Sequence, residues 1–278
     1  MKRLIAVPVI FILIIMLTSC ALASQYQLHQ PDLDGAAGYI LTDGETVLLV
    51  DCGTNTDVDP SSDKLFAYLK DVGLRRIDYY IVTHYHNDHC YNLNQLLTDY
   101  GTDDTQVFSC SEELDEMLCP MARGVYNQMK VGDELQLGPY HVLCVGPEVL
   151  RQNGRINNDS LNFIITCGER RIFFGGDHVN GKVLQLHGDA IADCDILCFP
   201  HHGLRPYQMG TQAIRRVNPS VILIPGGPEG YMNYYLRSIA EVNATAYGIG
   251  AGTTVVLFGD GEEMDVRIHS ENGAFKVQ

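Results

Sequence analysis

Two stretches of this chain obey the same order, and that order limits the folds open to it. The first, GYILTDGETVLLVDCG (residues 38–53), has apolar runs on either side of Asp43-Gly44. Asp-Gly is a favoured turn dipeptide, so the stretch predicts a β-hairpin. A helix-period segment follows, SSDKLFAYLKDVG, with Ser61 or Ser62 as N-cap and Leu65, Leu69 and Val72 on one face. The apolar run IDYYIV then enters THYHNDHC, Thr83 to Cys90. The second stretch, SLNFIITCGERRIFFGGD, is again a hairpin, turning at Gly168-Glu169-Arg170 and ending in Gly and Asp. A helical segment (KVLQLH) and the strand DILCFP follow it and run into His201-His202-Gly203. Each half therefore reads hairpin, helix, strand, histidines; the likeness is weak in letters and clear in order. Strands alternating with helices predict α/β layers with the helices outside the sheets. The doubling predicts two related sheets whose strand ends meet along one edge.

Between and after these stretches the pattern is simpler. Asn92 to Tyr100 is predicted helical, and residues 104–138 hold the strands QVFSC and ELQLG with acidic helices between them. A strand over Tyr140–Val145, a helix near Gln212 to Val217, the strand VILIP, a helix around Tyr234 to Val242, and closing strands TTVVLF and DVRIH complete the reading.

The N-terminal segment is of another kind. Lys2 and Arg3 precede an apolar run from Leu4 to Leu17, the layout of a secretory signal. The run is shorter than the ~18–20 residues of a membrane-spanning helix. It ends in Leu17-Thr18-Ser19-Cys20, which resembles a bacterial lipobox, where the cysteine becomes lipid-modified and begins the mature chain. Ordinary cleavage after Ala21-Leu22-Ala23 is the alternative. Residues 1–23 are thus expected to be a signal segment and 24–278 a single domain, exported and either membrane-anchored through Cys20 or secreted. The formal charge of −15 repels polyanions at long range, so nucleic acid is not an expected partner. Of nine cysteines, Cys144, Cys167 and Cys198 lie inside apolar runs, as small buried hydrophobes do. Cys110 with Cys119 is the pair best placed to bridge if any does, and no CxxC occurs.

His84 and His86 stand two apart at a strand end, so in extended backbone their side chains leave on the same side. Asp88 and His89 follow where the chain must turn. One ligand set thus faces one point and a second faces a neighbouring point, which suits two metal ions in one pocket. Asp177 ends RIFFGGD, and His201 and His202 end DILCFP, at equivalent strand ends of the second half. Asp51, closing LLVD, is placed to accept a proton from a ligand histidine and fix its tautomer.

Taken together, VDCG, THYHNDH, FGGD and PHHG, in that order over about residues 35–270, resemble the metallo-β-lactamase superfamily. The resemblance implies an αβ/βα four-layer sandwich, two mixed sheets flanked by helices. It assigns His84, His86, Asp88, His89, Asp177 and one of His201 and His202 as metal ligands, with Asp177 bridging and Asp88 and Asp177 at the reacting centre. Many members carry a further histidine about twenty residues before the bridging aspartate. This chain has Ile156-Asn157-Asn158-Asp159-Ser160 there and no histidine between His141 and His178. That departure leaves the first metal site short of an imidazole, which the amide oxygen of Asn157 or Asn158, or a water, would replace weakly. The NNxSL pattern and the tail resemble the branch holding the C-terminal domain of the DNA-uptake protein ComEC and surface choline-phosphate esterases.

The implied cofactors are two divalent ions, zinc first, manganese or iron next, with the first site weak. The implied activity is hydrolysis by a water activated to hydroxide between them. The leading substrate class is a phosphodiester, small or in the cell envelope. A lactone or β-lactam is the alternative, and a non-catalytic envelope protein that retains the fold is a third. Arg205 and Tyr207, just after HHG, are candidate contacts to an anionic group of the substrate.

Overall fold

The computed structural model describes residues 25–112, 125–178, 188–204, 209, 211–226, 237, 239–248 and 252–269. The predicted signal segment with Cys20, the acidic helices after QVFSC, the helix KVLQLH, and both Arg205 and Tyr207 lie outside them, as do Tyr234, Tyr235, Leu236 and Ser238 of the predicted helix around Tyr234 to Val242.

Among the described residues, fifteen strands form two sheets. The first half supplies β1 (Tyr26–Gln30), β2 (Gly38–Thr42), β3 (Val47–Asp51), β4 (Tyr79–Val82), β5 (Gln106–Ser109) and β6 (Val125–Gln128). The second supplies β7 (Glu134–Leu137), β8 (Tyr140–Gly146), β9 (Asn162–Cys167), β10 (Arg170–Phe174), β11 (Ile196–Cys198), β12 (Val221–Ile224) and β13 (Thr245–Gly248). The chain then returns through β14 (Thr253–Phe258) and β15 (Asp265–His269) to the edge of the first sheet beside β1. The orders are β15-β14-β1-β2-β3-β4-β5-β6 and β13-β12-β11-β10-β9-β8-β7.

Both sheets are mixed in the same way. A hairpin, β2–β3 in one and β9–β10 in the other, leads into strands that pair in parallel: β3–β4–β5–β6 and β10–β11–β12–β13. Parallel pairing needs crossovers, and helices supply them, which puts α1 (Asp63–Asp71) and α3 (Leu93–Tyr100) outside the first sheet and α4 (Thr211–Val217) outside the second. Three apolar clusters follow from this layering. Tyr39, Leu41, Val50 and Ile81 of one sheet meet Phe163, Phe174 and Leu223 of the other in the central layer. Leu65, Leu69, Leu96 and Leu97 pack α1 and α3 on the outer face of the first sheet; Ile214 and Val217 pack α4 on that of the second. This is the αβ/βα sandwich, with the ends of β3, β4, β10 and β11 facing one another along one rim.

Three strands lie beyond the sequence expectation: β1, β6 and β13. β6 and β13 are half-buried or exposed, and β1 is buried but carries Gln27, His29 and Gln30 among its five residues; each takes its place by pairing with a neighbour rather than from its own apolar period. Ser62 does occupy the N-cap of α1, but its side chain makes no capping hydrogen bond.

Candidate metal centre

The rim is built from four strand ends. At the first, β3 ends in Asp51, whose backbone is left-handed (φ 59°), as is that of Cys52 (φ 80°). Non-glycine residues seldom hold that conformation without a compensating contact. Here the compensation is the Asp51 carboxylate, buried and fully engaged. Its Oδ1 accepts the Thr83 N–H at 2.8 Å; its Oδ2 accepts the Thr83 hydroxyl at 2.9 Å and His89 Nδ1–H at 2.8 Å. Gly53 then passes so close to the next strand end that a Cβ there would stand 2.1 Å from the Asp88 carbonyl carbon and 2.2 Å from the His89 nitrogen. The VDCG turn is thus the floor on which the HxHxDH turn sits. Ala37 N–H to Asp88 O (2.9 Å) and Thr54 N–H to Asn87 O (3.0 Å) tie the two, and buried Asn92 donates to Cys52 O, Gly53 O and Thr54 Oγ1.

At the second strand end, His84 leaves the chain directly, His86 caps the short helix α2 (Asn87–Cys90), and Asp88 and His89 ride on that helix. Tautomers follow from the partners. His89 gives Nδ1–H to Asp51, so its Nε2 carries the lone pair. His86 places Nε2 3.1 Å from the Arg155 carbonyl; donating there leaves the lone pair on Nδ1. Thr83 Oγ1, its own proton committed to Asp51, lies 3.2 Å from His84 Nδ1 and accepts from it. His84 Nε2 is then left buried with no hydrogen-bond partner.

At the third, Gly175-Gly176 ends β10 and turns the chain so that Asp177 N–H donates to Ser160 Oγ at 2.8 Å, and the carboxylate points into the rim, 2 % exposed. At the fourth, β11 ends in PHHG. His201 (φ 49°), His202 (φ 54°) and Gly203 (φ 67°) are all left-handed, three in succession. His202 is buried and His201 half-buried. A Cβ on Gly226 would meet the His202 carbonyl oxygen at 2.0 Å, so that glycine is needed for the turn to sit where it does.

These four ends meet at Asp177. Its Oδ1 lies 3.1 Å from His89 Nε2 and 3.4 Å from His202 Nε2. His202 Nε2 is 3.2 Å from both His89 Nε2 and Asp88 Oδ2. Asp88, His89, Asp177 and His202 each offer one ligand atom, all within 4.8 Å of one another. Metal–nitrogen and metal–oxygen bonds of ~2.0–2.2 Å give donor–donor edges of about 3.4 Å around a tetrahedral ion; the edges at Asp177 Oδ1 and His202 Nε2 named above come close to that, while Asp88 Oδ2 stands further off, 4.0 Å from His89 Nε2. The other oxygen, Oδ2, lies 3.9 Å from His84 Nε2 and 3.8 Å from His201 Nε2. Asn157 Nδ2 is 2.9 Å from His201 Nε2. Asn158 keeps a buried Oδ1 with no hydrogen-bond partner. Asp88, His89 and His202 thus gather with Asp177 Oδ1, and His84 and His201 face its Oδ2; His86 stands beside His84, ring centroids 4.6 Å apart, with its Nε2 on the Arg155 carbonyl. A buried, unpartnered His84 nitrogen facing a carboxylate is an unstable arrangement for a bare core and a fitting one for a divalent cation.

The electrostatics agree. Burial and the neighbouring His89 hold His84 well below the usual imidazole range. For His89, burial alone would do the same, but the Asp177 and Asp51 carboxylates outweigh it and raise it. His202, also buried, is lifted to about 9 by Asp177 and Asp88. Burial opposes ionisation of Asp88 and Asp177, yet the histidines prevail: Asp88 falls to about 2 and Asp177 goes well below the usual carboxylate range. A cation would replace those protons.

Several contributors escaped the sequence reading. Thr83 and Ser160 orient candidate ligands through their hydroxyls. Asp159, buried, accepts the N–H groups of Arg151, Gln152 and Gly154 and so fixes the loop that presents Asn157 and the Arg155 carbonyl. The only available signal was the Asn-Asp-Ser cluster, which reads equally as an ordinary turn. No described cysteine competes as a nucleophile: Cys90 is buried, its thiol pushed up to about 12, and Cys52 and Cys198 are raised as well. Cys110 is a free, buried thiol, and Cys119 lies outside the described residues.

Comparison with known proteins places this architecture. The model of the metallo-beta-lactamase superfamily matches residues 32–104, the part that carries VDCG and HxHxDH. The structure is similar to the metallo-beta-lactamase fold protein YhfI from Bacillus subtilis, at 15 % identity and TM-score 0.61 over 84 % of this chain and 100 % of that one. It is similar also to a putative metal-dependent hydrolase from Parabacteroides distasonis, at 16 % identity and TM-score 0.53 over 80 % and 92 %. A third relative in fold is the CmlA beta-hydroxylase, at 15 % identity and TM-score 0.58 over 84 % of this chain and 54 % of that one. No curated protein matches the sequence. The chain has the metallo-β-lactamase fold, and at its rim a cluster of histidines and aspartates suited to metal. A hydrolase and a hydroxylase share that fold, so the reaction has to be argued from the site.

Proposed function

We propose that this chain is an exported, metal-dependent hydrolase of phosphodiesters. The observation that carries the reading is the division of donors between the two oxygens of Asp177. Two divalent ions held there would supply Lewis acidity and lower the pKa of a water from ~15.7 toward ~7. A pair of cations sharing a carboxylate suits in-line displacement at phosphorus, where attacking and leaving oxygens both need charge stabilisation. The residues supply the rest. Asp177 fixes the spacing between the groups. His89 and His202 are held against it by Asp51 on one side and by the PHHG turn on the other. Asp88, about one-third exposed, is the ligand carboxylate that faces solvent, and at neutral pH it is ionised, an acceptor for a water's proton.

The pocket beside this edge supports a small substrate. Thr54, Asn55, Thr56, Asp57, Tyr85, His86, Asn87 and Asp88 line about 460 Å³. None of them is a lysine or arginine and two are aspartates, so the wall offers no track for a polyanion, in keeping with the net charge. Loss of the third histidine of the family pattern, in the branch similar to ComEC and the choline-phosphate esterases, favours phosphorus over lactone or lactam carbon. The signal-like N-terminus favours an envelope location, with Cys20 as lipid anchor and an envelope phosphodiester as substrate.

The test is hydrolysis of a chromogenic phosphodiester by protein purified without chelator, with and without added zinc or manganese. Metal-dependent turnover is expected. Turnover of a lactone or β-lactam in its place would assign the site to carbon chemistry, and a folded protein that binds no metal would point to a non-catalytic role. Incorporation of labelled lipid, abolished by Cys20→Ala, tests the anchor.

A further inference from the structure

We infer that His201 and His202 serve different cations: His202 completes the group on Asp177 Oδ1, and His201 supplies the group on Oδ2 with the imidazole its sequence lacks. The inference rests on the metal-dependent reading above.

Adjacent residues do not ordinarily converge. On a strand they leave on opposite faces. Here both adopt the left-handed conformation, with Gly203 continuing it. Non-glycine residues adopt it rarely, and normally singly. The arrangement is pinned beside Asp177 by His201 N–H donating to Gly176 O at 2.8 Å and Leu204 N–H to His201 O at 2.9 Å. The strain achieves one thing: both Nε2 atoms reach the same carboxylate, each facing a different oxygen. His202 Nε2 is 3.4 Å from Oδ1 and His201 Nε2 3.8 Å from Oδ2.

On the Oδ2 side, His201 Nε2 matches His84 Nε2, which stands 3.9 Å from the same oxygen and has no hydrogen-bond partner. A turn that served the Oδ1 group alone would need one histidine, not two. Asn157 belongs to the same group. Its amide nitrogen is 2.9 Å from His201 Nε2. A half-turn of the amide exchanges nitrogen for oxygen and sets a second neutral donor toward the same point. The position that lost a histidine in the Asn157–Asp159 turn is thus refilled from the opposite strand end, by the first residue of the His-His pair.

The experiment loads the full chain with zinc or cobalt, removes excess ion, and reads metal per protein by mass spectrometry and cobalt absorption in the visible range. Wild type is compared with His201→Gly and His202→Gly, because glycine keeps the left-handed turn, and with His201→Asn, which also tolerates it. Circular dichroism confirms that each is folded. Two equivalents are expected for wild type. Both His201 variants should keep one tightly held ion and bind the second at least about 100-fold more weakly, with a changed cobalt spectrum. His202→Gly should weaken the other ion instead. Two equivalents bound by the His201 variants with wild-type affinity and spectrum would overturn the inference while leaving the metal-dependent reading intact. A folded wild type that binds neither ion would overturn both.

Discussion

The two halves of this molecule repeat one plan, strand end followed by histidines, but they hold those histidines in opposite ways. In the first half the support is hydrogen bonding. Asp51 sits behind the ligands, takes three donors from Thr83 and His89, and so sets the tautomer and tilt of His89. In the second half no described group plays that part: His202 Nδ1 is buried and has no hydrogen-bond partner among the described residues. Position there comes from the backbone, from three consecutive left-handed residues packed against Gly226. A polar relay can be weakened by degrees, whereas a turn built on steric fit either fits or does not. The difference teaches that equivalent ligands in a doubled fold need not be equally tunable.

Removing what the halves share should do the most. Asp177→Ala deletes the one carboxylate that both groups face, and metal-dependent turnover should fall on the order of 10³-fold or more, with both ions lost on metal analysis.

Proton competition comes next, and it acts on both halves. His202, at about 9, must shed its proton to bind a cation, so affinity should rise at least tenfold per pH unit up to about pH 9. Metal-free protein should show the opposite trend. A histidine raised above its unfolded value of ~6.5 adds stability that is fully present below that value and lost as pH rises through its folded value. The depressed carboxylates Asp88 and Asp177 add stability that is lost only as pH falls below the usual carboxylate range. The melting temperature of the metal-free form should therefore fall from pH 6.5 to 9 while that of the loaded form rises, which calorimetry can read directly.

Breaking the first half's relay alone separates it from the second. Asp51→Asn keeps the shape and removes the charge, and should weaken metal binding by about 10–100-fold, with turnover restored at high metal concentration. The smallest effect sharpens the second half's role: His201→Gly relieves a left-handed histidine, so the metal-free variant should be more stable than wild type by up to about 1 kcal/mol in urea titration.

The contrast also explains what could be read from the letters. The hairpins, β4, β8, β11, β12, α1 and α3 carry their own apolar periods, so they were legible. The strands β1, β6 and β13 are defined by their neighbours and were not. His84, His86, Asp88 and His89 announced themselves because four ligand-type residues at a strand end are hard to explain otherwise. Thr83 and Ser160 did not, since a single hydroxyl carries no period and no spacing. The choice between His201 and His202 was closed to sequence for a different reason. Which way two adjacent rings point depends on φ, and a left-handed histidine pair is not something that residue types foretell.

One feature of the rim reaches beyond the chemistry. Every group facing Asp177 from β4 belongs to one sheet, and Asp177 with the His-His pair belongs to the other. The four clustered groups come from both halves, so that set is complete only once the two sheets have docked. A metal bound by that set would be taken up wherever docking is completed, from whatever that compartment offers. For a chain that crosses a membrane unfolded, crossing first and loading afterwards would let geography decide which metal the protein carries.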